Sequence, residues 1–399
     1  MAFEIEQVRA LEVLDSRGRP TLSVSVRLAD GTTAEAGVPS GASTGSREAV
    51  ELRDGDPARF GGAGVTRAAE NVNTEINAAL AGRRWPGLDA VDAAMCDLDG
   101  TPNKARLGAN ALIGTSMALA RALATSARTP LYQWLPGLLR PRRLPVPCFN
   151  VLNGGAHAPN PLDFQEFMVC PLGATSLREA VRAGAEVYQA LRTLLAAGGH
   201  ATGLGDEGGF APNLAEPEEV LALIVEAITA AGYPTGAEGV GIALDPAASE
   251  FFDDGGYRVN GVRLSSADMI ARYGEMIDRF PIWSIEDGLG EQDQEGWKQL
   301  TAELGGRVQL VGDDNFCTNP AIIAAAIADG IGNAALIKVN QIGTVTETLE
   351  AMRICHGAGY GQMVSHRSGE TPDTFIADLA VATGCGQLKT GAPARGERV

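Results

Sequence analysis

Residues 24–28 set apolar and polar side chains on opposite faces, as a strand with one buried side does, and Asp30 with Gly31 predicts a hairpin turn after them. Residues 37–46 (GVPSGASTGS) break the pattern with three glycines and four Ser/Thr, which is loop chemistry. The Ala-rich stretch 109–127 then predicts a long helix. Residues 135–147 carry four prolines among basic side chains and predict a junction between two units, 1–134 and 135–399. Beyond it the period changes. Ser176 with Glu179 makes a capping box, and Leu177, Val181, Tyr188, Leu191 and Leu195 form one helical stripe. Short apolar runs at 240–245, 282–286, 308–313, 335–338, 362–365 and 386–389 each end near a polar residue, and those ends step by 41, 27, 25, 27 and 24 residues. Each step is about one βα unit. Near-continuous apolar strands imply a parallel sheet buried on both faces, and so many units in succession favour a barrel. The expected class is α/β, a smaller N-terminal α+β unit followed by a β/α barrel.

The length of 399 residues agrees with two units rather than one core. A net charge of −17 removes the basic surface that nucleic acids and anionic membranes require, so neither is an expected partner. No apolar run approaches a bilayer span, the first ten residues hold no signal-peptide core, and the six cysteines lack CxxC spacing. A cytoplasmic location is expected. Only four of the 32 basic residues are lysines: Lys104, Lys298, Lys338 and Lys389. In a chain that otherwise uses arginine, a lysine is a candidate for chemistry that needs a deprotonated amine.

Active sites of βα barrels lie at the C-terminal strand ends. Here those ends bring Asp245, Glu286, Asp313, Lys338, His366 and Lys389 to one mouth. An acid after a strand often only caps the next helix. Three acids beside two lysines instead predict an all-oxygen site for Mg²⁺, shared with a phosphorylated ligand. Two motifs are refused. Residues 203–208 match G-x-G-x-x-G, yet Asp206 and Glu207 stand inside the match and Pro212 follows closely. Residues 40–45 (SGASTG) lack the GK[ST] ending of a phosphate loop and are read as a lid that closes over an anion.

The segments DSRGRPT (15–21), SGASTGSREAVELRDGD (40–56), NGGAHAPNPLDFQEFM (153–168), GDEGGFAPN (205–213), LDPAASEF (244–251), SIEDGL (284–289), LVGDD (310–314), IKVNQIGT (337–344), SHRSGET (365–371) and KTGAPAR (389–395) resemble the enolase family across nearly the whole chain. The resemblance implies an eight-stranded barrel of unusual topology and reversible dehydration of 2-phosphoglycerate to phosphoenolpyruvate with two Mg²⁺ per site. It implies Lys338 as the base for the α-proton and Glu207 as the acid for the leaving hydroxyl. Asp245, Glu286 and Asp313 would hold the first ion and Ser43, on the lid, the second. Arg367 and Ser368 would bind phosphate, Lys389 would face the carboxylate, and His157, Gln165, Glu166 and His366 would complete the pocket. Lys338 is expected to have a lowered pKa, from nearby cations, and Glu207 to stay protonated beside Glu166.

Arg19 and Ser23 depart from the family pattern near the first strand, and the C-terminal helical segment of the family is missing after Val399, so a homodimer with an altered interface is expected. An enolase-like paralogue of phosphonate biosynthesis, of the carboxyphosphonoenolpyruvate synthase type, would keep the same acid–base set. The residues leave these two activities open. Intact acid, base and carboxylates argue against a purely structural role.

Overall fold

A computed structural model of the protein describes residues 2–42, 44–138 and 142–399. Ser43, the expected ligand on the lid, lies outside the described residues.

The N-terminal unit is a sheet in the order β3-β2-β1-β4, built from β1 (Phe3–Leu14), β2 (Pro20–Leu28), β3 (Thr33–Gly37) and the short β4 (Arg84–Trp85). The predicted hairpin joins β2 and β3, with Arg27 opposite Thr33. Ser23 sits on β2, where its hydroxyl donates to Glu35 across the pair. The helix Ala109–Ser126 covers this sheet, and fifteen of its 18 residues are buried because it is apolar all round.

Eight strands then close into a barrel: β5 (Val146–Asn153), β6 (Glu166–Cys170), β7 (Gly241–Asp245), β11 (Ile282–Glu286), β12 (Gln309–Gly312), β13 (Ala334–Ile337), β14 (Gly361–Ser365) and β15 (Gly386–Lys389). Between β7 and β11 a small antiparallel sheet, β8 (Phe252–Asp253), β9 (Gly256–Val259) and β10 (Val262–Leu264), lies outside the barrel. The six strands expected from the apolar runs are all present, within about a residue at each end. Cys148, Met168, Cys170, Ala243, Val311, Ala334, Leu336 and Met363 pack together as a separate cluster, all from barrel strands. All six cysteines are free thiols.

The expected wholly parallel sheet is corrected at one strand. β6 runs antiparallel to both β5 and β7, while the other barrel pairs are parallel. The cause lies in the connections. Twelve residues with only a short 3₁₀ turn join β5 to β6, too little for a helical crossover, and two helices, Leu177–Ala197 and Pro217–Ala230, join β6 to β7. Reversal places the start of β6, rather than its end, at the barrel mouth: Glu166 pairs with Asp245 and with Asn153. Of the capping box expected at the Leu177–Ala197 helix one half is present, Ser176 accepting from the Glu179 N–H at 3.2 Å, while the Glu179 carboxylate accepts from Arg182 instead. The buried stripe of this helix is Ala180, Ala183, Val187, Tyr188, Leu191 and Leu195, and Val181 faces water.

The N-terminal unit reaches over the barrel mouth through residues 37–42 and 44–51. Ser40 and Gly369 exchange backbone hydrogen bonds, Ala49 N–H donates to Gln341 O at 2.8 Å, and Arg47 reaches Asn315 O at 2.6 Å. Lys104 ties the unit to the Val345–Gly357 helix through Glu347 at 2.6 Å. Among the described residues no helix is long and apolar enough to cross a membrane.

Candidate active site

Strand ends place most of the site. Asp245, Glu286 and Lys389 are the last residues of β7, β11 and β15, while Asp313 and Lys338 follow β12 and β13 directly. Glu207 has a different origin: it sits in the loop between the helices Leu177–Ala197 and Pro217–Ala230. That loop is laced to the barrel by Phe210 N–H to Val151 O (2.9 Å), Asn153 N–H to Phe210 O (2.8 Å) and Ala392 N–H to Glu207 O (2.9 Å). His157, Gln165, Glu166, Glu207, Lys338, His366, Arg367, Ser368 and Lys389, all nominated from the sequence, line one cavity together with Ser365. A second cavity, of about 280 Å³, adjoins Arg367 and is walled by Gly41, Thr44, Gly45, residues 48–51 and Asn340, with Ala109 and Asn110 also lining it.

The charges sort into two groups. In the first, the Lys389 ammonium donates to both Glu286 oxygens (2.8 and 2.9 Å), to Glu166 Oε2 (3.1 Å) and to Asp245 Oδ2 (3.2 Å). Asp313 accepts from Lys338 Nζ and, at 2.7 Å, from Gln341 Nε2. In the second, Glu207 Oε2 accepts from Asn150 Nδ2 at 2.9 Å and lies 3.1 Å from His366 Nε2. His157 Nδ1 stands between the carboxylates, 3.5 Å from Glu166 Oε1 and 3.7 Å from Glu207 Oε1, without a hydrogen bond to either, while its Nε2 meets Ser368 Oγ at 2.9 Å.

These environments set the protons. Burial, followed by the Glu207 charge, pushes Glu166 well above the usual carboxylate range. Burial also opposes ionisation of Glu207, but His366, His157 and Lys389 outweigh it and hold Glu207 well below that range. The expected order is therefore reversed: Glu166 is the carboxyl shifted upward and Glu207 the one held down, because more donors face Glu207. The expectation for Lys338 is reversed as well. Burial alone would lower its pKa, but the Asp313 carboxylate bonded to it raises it above the ordinary lysine value, with Lys389 and Arg367 exerting the weaker opposing effect.

Asp245, Glu286 and Asp313 are buried carboxylates on three neighbouring strands, an all-oxygen donor set suited to a hard cation. In the structure their charge is met by Lys389 and Lys338. Among the described residues, the acidic groups whose oxygens converge within 4.8 Å are Asp287, Asp313 and Asp314, and Glu166 and Glu207 with His157.

Residues not singled out from the sequence complete the site. Glu48 holds the Arg367 guanidinium at 2.9 and 3.1 Å, and Asn340 Oδ1 accepts from it at 3.1 Å. Asn150 and Gln341 steady Glu207 and Asp313. Glu48 lies within the SGASTGSREAVELRDGD segment, and its place three residues past Gly45 was the available signal.

The N-terminal unit matches the family model described as the enolase N-terminal domain over residues 5–135, and the barrel matches the enolase C-terminal TIM barrel domain over 141–399. The chain belongs to the enolase family. A protein named Enolase from Rubrobacter xylanophilus is 58% identical over 400 residues, covering 99% of this chain and 92% of that relative. Another Enolase, from Acidothermus cellulolyticus, is 55% identical over 395 residues, covering 99% and 91%. Neither name points to phosphonate chemistry. Enolase membership implies Mg²⁺ dependence, with which the acidic groupings at the barrel mouth agree.

Proposed function

We propose that this enolase-family chain catalyses the reversible dehydration of 2-phosphoglycerate to phosphoenolpyruvate, within a cytoplasm whose reducing conditions suit its six free thiols. The observation that carries the reading is the division of one buried cavity between a lysine pair and a carboxyl–imidazole group, in a chain more than half identical to two proteins named Enolase. Residues 135–399 supply this cavity and residues 1–134 cover it.

Lys338, as the neutral amine, removes the α-proton, and its bond to Asp313 is the interaction to be relieved first. The electron pair left on the α-carbon forms the C=C bond as the C–O bond breaks. The leaving hydroxyl takes its proton from the Glu166–Glu207 pair, with Glu207 as donor, and departs as water. Two carboxyls this close titrate as a unit, so a proton held by the pair belongs to both and is delivered through Glu207. Lys389 offsets charge developing on the substrate carboxylate. Arg367 and Ser368 bind the phosphate, Arg367 exchanging Glu48 for it, and His157, Gln165 and His366 shape the pocket. Asp245, Glu286 and Asp313 would hold one Mg²⁺ and Ser43 a second, supplying Lewis-acid stabilisation of the carboxylate charge.

Purified protein given 2-phosphoglycerate and Mg²⁺ is expected to form phosphoenolpyruvate. Absence of product with folded, Mg²⁺-loaded protein refutes the reading.

A further inference from the structure

Arg398 lies outside every residue assigned above, yet its side chain is fully buried against the acid group. Nη1 donates to His366 Nδ1 at 2.5 Å and to Arg367 O at 2.8 Å. Nη2 donates to Ser368 O at 2.7 Å and reaches Ser16 Oγ and Asp206 O at 3.3 Å each. Space for this side chain depends on Gly391, at φ +85°, where a Cβ would stand 3.0 Å from Arg398 Cδ and 2.7 Å from Glu207 O. An anchored cation thus touches one nitrogen of the imidazole whose other nitrogen faces Glu207.

Arginine has donors and no acceptor, so the nitrogen it touches must offer a lone pair. His366 is neutral, since burial brings its pKa down to about 4 against the pull of Glu207, with Arg398 and Lys389 adding to the lowering. A neutral imidazole that accepts at Nδ1 carries its proton on Nε2. That nitrogen lies 3.1 Å from Glu207 Oε2, which already accepts from Asn150, close enough for its proton to bond there after a small turn of the ring. The Oε2 side then has Asn150 bonded to it and the Nε2–H beside it, and Oε1, toward His157, is left to carry a proton.

We propose that Arg398 is a positioning residue for the dehydration: it fixes His366 as the Nε2–H tautomer and thereby makes Oε1 of Glu207 the oxygen that delivers the proton. The inference rests on Glu207 being the acid. With Arg398 removed, His366 is free to protonate Nδ1, turning its Nε2 lone pair toward Glu207 Oε2 and drawing the proton to the wrong oxygen.

The test is ¹⁵N spectroscopy of histidine-labelled protein, with the His366 signal identified by its loss in His366→Gln. Near pH 7 the unsubstituted protein should show neutral His366 protonated on Nε2, and Arg398→Met should lose that preference. In Arg398→Met, dehydration should fall roughly 10- to 100-fold, part of the ~10²–10⁴ that a positioned acid contributes, while α-proton exchange with solvent stays within about 2-fold. Arg398→Lys, which keeps one donor, should lie between. An Nδ1–H or charged His366 in the unsubstituted protein overturns the proposal, as does an equal loss of exchange and dehydration in Arg398→Met. The tautomer is read without turnover, so failure of the Glu207 assignment would appear separately, as Glu207→Gln abolishing exchange. Should Arg398→Met not fold, the unsubstituted spectrum and Arg398→Lys decide.

Discussion

Lys389→Met would remove the ammonium that four carboxylate oxygens share at 2.8 to 3.2 Å, while keeping the length and apolar stem of the side chain. Glu166, Asp245 and Glu286 would then stand together, buried and without their cation. Leaving one partner of a buried pair uncompensated costs about 3–5 kcal/mol. For 399 residues the unfolding entropy is about 0.8 kcal/mol/K, so the melting temperature should drop by roughly 4–6 °C. The drop also has a predicted pH dependence. Burial and then Asp245 already raise the Glu286 pKa, and burial and then Glu207 raise that of Glu166, whereas Lys389 lowers both. Without Lys389 both rise further, and the native state binds protons that the unfolded chain releases. Stability of the variant therefore falls as pH rises, and its deficit should be smallest near about pH 5.5 and largest near about pH 8.5. Melting followed by circular dichroism in EDTA reads both effects, and saturating Mg²⁺ should narrow the gap. A variant as stable as the parent at the higher pH, or a deficit that shrinks as pH rises, refutes the assignment of Lys389 as the counter-charge of this cluster.

Lys338→Ala should abolish exchange of the substrate α-proton with solvent, whereas Glu207→Gln should retain exchange and lose about 10²–10⁴ in water elimination; equal loss of exchange in both variants contradicts the roles. Asp313→Asn should weaken Mg²⁺ binding in calorimetric titration far more than Asp329→Asn, since Asp329 is exposed at the end of the Pro320–Ala328 helix; equal affinities would remove Asp313 from the metal site. Gly184→Ala would put a Cβ 2.3 Å from the Phe149 ring and should destabilise the barrel by about 1–3 kcal/mol in denaturant unfolding, with the metal affinity unchanged.

The barrel was legible because its later strands are short, apolar and evenly spaced, so their ends mark the mouth. β6 was not, because its direction is decided by its connections rather than by any feature within Glu166–Cys170. Val181 misled for a related reason: seven residues before Tyr188 it fits the stripe by period, but the stripe that meets the barrel is centred on Ala180, Ala183 and Val187.

Within the site, residue identity was easier to read than proton location. Strand ends and motifs led to nine side chains that line one cavity, but a motif does not say which cation rests on which carboxylate. Lys338 had been placed among cations, and its nearest charge is the anion Asp313. Glu207 had been weighed against Glu166 alone, without Asn150 or the ring behind which Arg398 sits. Both corrections have one cause. Arg398, Glu48 and Gln341 each act by holding a candidate site residue in one protonation state or one orientation, and the contacts through which they do so join segments far apart in sequence: Arg398 to His366, Glu48 to Arg367 and Gln341 to Asp313. The same reasoning accounts for the four lysines. Lys338 and Lys389 are buried where a compact, titratable cation lies among acids, Lys104 is buried on Glu347, and Lys298 makes an exposed helix pair with Glu295. Rarity of lysine therefore led to the candidate site in two cases and to pairing elsewhere in two, and what separates Lys338 and Lys389 from Lys104 is that they line the cavity at the barrel mouth.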